Sequence, residues 1–230
     1  MSGLVEIAQT VGAFVAGLLV RLGMVAVFAG ALLVPVALGV AIVRLVRQVR
    51  SVARGLRRVG GVLYKPGARY AAGHTWIERE GERLKVGLDG VAQEILPWSL
   101  GVELPNVGAR LREGEVAAVV SCGGIEARIT APVAGTVVAV NAEVARDPSL
   151  VKEDGYGQGW LFAVEPADTR WSTLPAGEVA REWIELESDR LRRFLELRLG
   201  PEGLASRASP APKLLVGADW NDLTRSFLHA

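Results

Sequence analysis

Between Tyr70 and Pro166 the chain changes character every few residues. Short apolar or alternating runs are broken by glycine, proline and asparagine, which is the pattern of a compact antiparallel β domain. Trp76 to Arg79 reads as a strand entering a hairpin at Glu80-Gly81, and Leu84 to Leu88 as its return. Val91 to Leu96 reads as a short helix with Gln93 and Glu94 on its wet side. Val102 to Leu104 runs into Pro105-Asn106. Strands Val116–Val120 and Ile125–Ile129 flank Ser121-Cys122-Gly123-Gly124. Thr136–Val140 precedes Asn141, and Trp160–Val164 closes the sheet.

The remaining residues bound what such a domain can do. A chain of 230 residues with net charge +1 holds one core of roughly 100 to 150 residues plus appendages. A single cysteine, Cys122, excludes an intrachain disulfide framework and fits a reducing compartment. The only histidines are His74 and His229, so no protein-built zinc site is expected. No triad, P-loop or dinucleotide glycine fingerprint is present, and no enzyme activity or small-molecule substrate is expected.

Residues 22–43 contain no charge and are long enough to cross a hydrocarbon layer, so a transmembrane helix is expected there, with Pro35 as a mild kink. Residues 1–21 are a further apolar segment, of which Leu4 to Val20 is a second membrane or interfacial candidate. Arg44, Arg47, Arg50, Arg54, Arg57, Arg58 and Lys65 follow the span with no acidic residue among them. That bias places the N-terminus outside and the large C-terminal part in the cytoplasm. At helical spacing the six arginines share a face opposite Leu45, Val49, Val52, Leu56 and Val59. Residues 44–65 thus read as a basic amphipathic helix ended by Gly60-Gly61, followed by a linker. The helix either lies on anionic membrane lipid or continues into a protein partner. Nucleic acid is not an expected partner, because no aromatic residue is interleaved with the arginines.

Past the β domain, assigned to 66–167, residues 172–200 read as an amphipathic helix ending at Gly200-Pro201. Val179, Trp183, Ile184, Leu191, Phe194, Leu195 and Leu197 are expected on one side. Arg181 with Glu185 and Asp189 with Arg193 are expected as ion pairs. The helix packs on the β domain or serves a partner, and the first reading is preferred. A tether over 201–213 leads to a short helix within 214–230, where Trp220, Leu223 and Phe227 form an apolar face. A helix so short must dock, on this chain or in a partner's groove.

Four phrases carry a further signal: His74-Thr75-Trp76, GLDGVAQEIL at 87–96, ELPNVGARLREGE at 103–115, and NAEVARDPSLVKEDGYGQGWLFAVEP at 141–166. In this order they resemble the glycine cleavage system H protein family. The resemblance implies a mainly β domain, a lipoyl-type flattened β-barrel sandwich. To it this chain adds the N-terminal transmembrane helix and the C-terminal helical extension. It also implies a lysine at a hairpin tip that carries lipoic acid, within Glu-Ser-Val-Lys-Ala before an Ala-Pro-Val strand. Counted back without gaps from Ala131-Pro132, that lysine position falls on Gly124 and the glutamate on Ser121. Lys85 and Lys152 match no attachment phrase.

Glycine has no amine, so no lipoyl cofactor is expected on this hairpin. Cys122, two residues before Gly124, is either a small residue in a tight turn, which is preferred, or a thiol handle. His74, Asn141 and Gly159-Trp160 read as structural elements. The expectation is a non-catalytic, membrane-anchored, H-protein-like adaptor among the protein subunits of a cytoplasm-facing membrane complex. The alternative is a lipoyl-type carrier moving aminomethyl, acyl or sulfur groups.

Overall fold

The computed structural model describes residues 55–96, 101–122, 125–205 and 218–228, with scattered positions between 17 and 42. The chain divides into two compact units, residues 1–51 and 52–230. In the first, residues 35–39 are helical. The span expected over 22–43 falls largely outside the described residues, and among those described no helix is long and apolar enough to cross a membrane. Arg44, Arg47, Arg50 and Arg54 also lie outside the described residues.

Among its described residues, the second unit is built from eleven antiparallel strands and flanking helices. A hairpin of β1 (Arg57–Val59) and β2 (Val62–Tyr64) comes first. Six strands form the main sheet, in the order β3 (Arg69–Ala71), β4 (Thr75–Glu80), β5 (Arg83–Leu88), β11 (Phe162–Pro166), β10 (Gly135–Val140) and β7 (Arg110–Leu111). A three-stranded sheet follows the order β6 (Gly101–Glu103), β8 (Val116–Cys122), β9 (Ile125–Thr130). This is the expected mainly β architecture with C-terminal helices.

Local chemistry accounts for the main hairpin. Strands β4 and β5 pair from Thr75↔Leu88 to Glu80↔Arg83, leaving Gly81-Glu82 as the turn. Gly81 has φ +66, the left-handed backbone that such turns require. Trp76 then lies flat on Gly87, where a Cβ would stand 2.6 Å from the indole. The indole N–H donates to the Gly155 carbonyl at 3.0 Å, so the largest core side chain leaves no orphan donor.

Arg57 and Arg58, expected on a basic helix, instead lie in β1, and Gly60-Gly61 is the turn of the β1–β2 hairpin, not a helix stop. The reason is tertiary: helix α4 (Gly177–Ala205) packs over this turn. A Cβ on Gly60 would come within 2.6 Å of the Ser188 Cβ. Val59, Val62 and Tyr64 face inward, and the Tyr64 hydroxyl donates to the Gly177 carbonyl at 2.5 Å.

Helix α4 docks on its own β domain, but with a different seam from the one expected. Ala180, Ile184, Ser188, Leu191 and Leu195 are buried, whereas Val179 and Leu197 are exposed. It also runs through Gly200-Pro201 to Ala205. Arg181 pairs with Glu185 at 2.9 Å as expected, while Asp189 pairs with Arg192 instead of Arg193.

Short helices complete the unit: α1 (Gly90–Ile95), α2 (Ala142–Arg146), α3 (Leu150–Glu153) and α5 (Ala218–Phe227), with a 3-10 turn at Arg170–Thr173. In α1, Gln93 is buried and not on the wet side. Its amide donates to the Leu88 carbonyl at 2.7 Å, and only Glu94 faces solvent.

Candidate functional site

The hairpin that the family resemblance singles out is formed by β8 and β9. Their register runs from Val116↔Thr130 to Cys122↔Ile125, with a bulge between Val116 and Ala118. Gly123 and Gly124, which stand between the two strands in sequence, lie outside the described residues, as do the side chains of Cys122 and Ile125. Ser121 pairs with Glu126 across the strands beside the turn. No lysine occurs between Lys85 and Lys152.

Lipoic acid would attach through an amide to a lysine amine, and the residues here do not fit it. The lysines of the described structure all lie outside the three-stranded sheet. Lys65 follows β2 and pairs with Glu78 at 2.6 Å. Lys85, on β5, pairs with Glu80 at 2.8 Å. Lys152, on α3, donates to the Leu96 carbonyl, and its burial lowers the amine to about 8. Lys213 lies outside the described residues.

A second cluster is buried under the C-terminal helices. His74 is 1% exposed and sits in left-handed backbone at φ +53, unusual for a residue with a side chain. Backbone bonds hold it there: its N–H donates to the Ala71 carbonyl at 3.0 Å and its carbonyl accepts from Asp89 N–H at 2.9 Å. The imidazole Nδ1 lies 2.9 Å from Asp89 Oδ2, and Nε2 lies 3.7 Å from Glu187 Oε2 on α4. Trp183 stacks on the ring at 5.2 Å, and Phe227 of α5 approaches at 6.1 Å. Burial pushes the imidazole down, but the two carboxylates outweigh it and hold it up at about 9. Glu187 is lowered in return, chiefly by its contact with His74.

Asp89 serves two elements at once. Its Oδ1 accepts from Val91 N–H and Ala92 N–H, each at 2.9 Å, capping α1, while Oδ2 holds His74. His74 is thus a buried cation tying the β domain to α4. The sequence reading of His74 as a hydrogen-bonded structural residue named neither partner; Asp89 stood visible as a capping residue ahead of the short helix.

Asn141 and Gly159 are structural in the same sense. The Asn141 Oδ1 accepts from Glu143 N–H at 3.1 Å to cap α2, and its amide donates to the carbonyls of Gln158 and Trp160 at 2.6 and 2.7 Å. At Gly159 a Cβ would stand 2.2 Å from the Leu150 carbonyl oxygen. Near them a surface cavity of about 520 Å3 is lined by Lys65, Trp76, Glu78, Lys85, Tyr156 and Trp160 among others. Its two lysines are the ones paired to Glu78 and Glu80, so they do not offer an uncompensated charge to an anion.

Leu223 and Phe227, expected to meet a partner, are each 1% exposed and buried against their own chain, where α5 contacts β9. The short helix docks back, one of the two outcomes its length required. Trp220 lies on the same helix, and its side chain is outside the described residues. Asp222 pairs with Arg198 at 2.9 Å at the rim, and the Arg190 guanidinium lies 4.8 Å over the Phe227 ring.

The family model described as Glycine cleavage H-protein matches residues 68–186, just over half the chain. This chain belongs to that family. It is 41% identical over 98 residues to the glycine cleavage system H protein of Acinetobacter baumannii, spanning 43% of this chain and 79% of that protein. The H proteins of Thermus thermophilus, at 41% over 99 residues, and Shewanella loihica, at 43% over 101, match over 77% and 78% of their lengths. They cover 43% and 44% of this chain. Among solved structures, a glycine cleavage system H protein from Mycobacterium marinum covers 53% of this chain and 98% of its own at 28% identity, with a TM-score of 0.46.

Proposed function

We propose that this protein acts as an H-protein-type docking module of a multiprotein assembly, held at a membrane by its N-terminal region and working without a covalent lipoyl arm. One observation carries the reading: no lysine occurs between Lys85 and Lys152, the stretch that contains the β8–β9 hairpin, and the family's lysine position, counted back without gaps from Ala131-Pro132, falls on Gly124. Family membership supports a place inside an assembly, since the relatives are components of a glycine cleavage system. The scaffold residues Trp76, Asp89, Asn141 and Gly159 all have structural partners, which is what a protein retained for its shape requires. The membrane part of this proposal rests on the uncharged run at 22–43 and the arginines after it, a bias that favours a cytoplasmic side for the β domain.

A covalent carrier is the second reading, and the names of the curated relatives favour it over a pure anchor. It requires that the arm be joined to a lysine outside the hairpin, namely Lys65, Lys85, Lys152 or Lys213.

The adaptor reading is tested by isolating the full chain from its native membrane in mild detergent. The expected result is a stable complex with other protein subunits and an unmodified chain. A chain recovered alone from the membrane-free fraction would overturn the anchoring and adaptor roles together.

A further inference from the structure

Helix α4 has an apolar stripe that its own chain leaves uncovered. Val179, Leu186 and Leu197 are 65%, 65% and 87% exposed. With Arg193 they recur at spacings of 7, 7 and 4 residues, which sets all four on one line of the helix. The buried seam of Ala180, Ile184, Ser188 and Leu191 faces the other way.

Charges on the helix point to what covers this stripe. Glu178 and Glu185 are matched to Arg181 at 2.6 and 2.9 Å, Glu187 to Arg190 at 3.2 Å, and Asp189 to Arg192 at 2.8 Å. Glu182 and Arg193, which border Leu186 on either side, have no ion-pair partner among the described residues. Their signs are opposite. The midpoint of Val179 and Leu197 is Ser188, and Glu182 stands 6 residues before it and Arg193 5 after.

A twofold axis beside that point turns the helix onto itself in antiparallel sense. Val179 then meets Leu197 of the second copy, Leu186 meets the aliphatic stem of Arg190, and Glu182 faces Arg193 twice over. Parallel pairing would instead oppose glutamate to glutamate and arginine to arginine. We propose that two copies of this protein associate through an antiparallel pair of α4 helices, closed by reciprocal Glu182–Arg193 ion pairs. The interface is isologous, as a closed dimer requires.

Light scattering on the full chain in mild detergent, across a concentration series, reads the dimer directly. Glu182→Arg weakens it about tenfold, because two attractive pairs become repulsive, and Arg193→Glu does the same. The double variant Glu182→Arg/Arg193→Glu restores the affinity to within about twofold, since the swapped charges still match. These positions are exposed, so circular dichroism is expected to stay unchanged in all three. In a Cys122→Ser background, mixing a Val179→Cys chain with a Leu197→Cys chain yields a disulfide between copies, whereas Val179→Cys alone does not. A monomer at every concentration, single swaps without effect, failure of the double variant to restore, or self-linking of Val179→Cys would each overturn the proposal.

Discussion

His74 Nδ1 lies 2.9 Å from Asp89 Oδ2 at a point where both side chains are almost wholly shielded from water. A protonated imidazole there, with Glu187 at 3.7 Å on its other nitrogen, makes pH a direct handle on the packing of α4. The folded imidazole is held up at about 9, above its ordinary 6.5. A raised pKa contributes stability that is complete below about pH 6.5 and is lost as pH rises through about 9. Thermal denaturation is expected to show a fall in stability between pH 6.5 and 9 on the order of 3 kcal/mol, absent in His74→Gln. Equal slopes in the two proteins would contradict this.

Asp89→Ala removes the α1 cap and leaves His74 without its nearest counter-charge. The expected loss is about 3 to 5 kcal/mol by chemical denaturation. Asp89→Asn keeps an oxygen for the cap and is expected to lose less. If the two substitutions cost the same, the charge on Asp89 contributes nothing.

Gly90 approaches the β1–β2 hairpin so closely that a Cβ would stand 2.1 Å from the Leu63 carbonyl oxygen. Gly90→Ala therefore forces backbone apart and is expected to cost roughly 2 to 4 kcal/mol. Gly67, with open space around its Cβ position, tolerates Gly67→Ala with little change. Melting temperatures of the two variants decide it.

Phe227→Ala is expected to release α5 while leaving the β domain folded. Leu223 and Phe227 supply buried apolar area that a ten-residue helix cannot replace by its own hydrogen bonds. Hydrogen exchange over residues 218–228 is expected to rise to that of an unprotected peptide, with protection retained in β4 and β5. Loss of protection in the sheet would mean that α5 is integral to the core.

What the sequence disclosed follows the range over which its signals act. The β4–β5 hairpin was legible because alternation and the Gly81 turn are local. So was the β8–turn–β9 unit, whose register depends only on adjacent residues. The β1–β2 hairpin was not. Arg57 and Arg58 extend a helical spacing of arginines, and only the distant Ser188 reveals that Gly60 lies under another helix. His74 has partners 15 residues away at Asp89 and on α4 at Glu187, and no local pattern joins them. The seam of α4 was misjudged for a related reason: Val179 and Leu197 belong to the apolar set, yet the β domain meets a line of small and branched residues one step round the helix. The lipoyl position was read only from the family resemblance, by an ungapped count back from Ala131-Pro132, since a pair of glycines announces no attachment point by itself.

Without a lysine, the β8–β9 hairpin has no side-chain amine to take a lipoyl group. Intact mass measurement of the full chain, produced in cells with active lipoylation, tests it most directly when run beside Gly124→Lys. An unmodified mass is expected for the native chain and a lipoyl addition on the lysine variant. A native chain that carries a lipoyl adduct would contradict it.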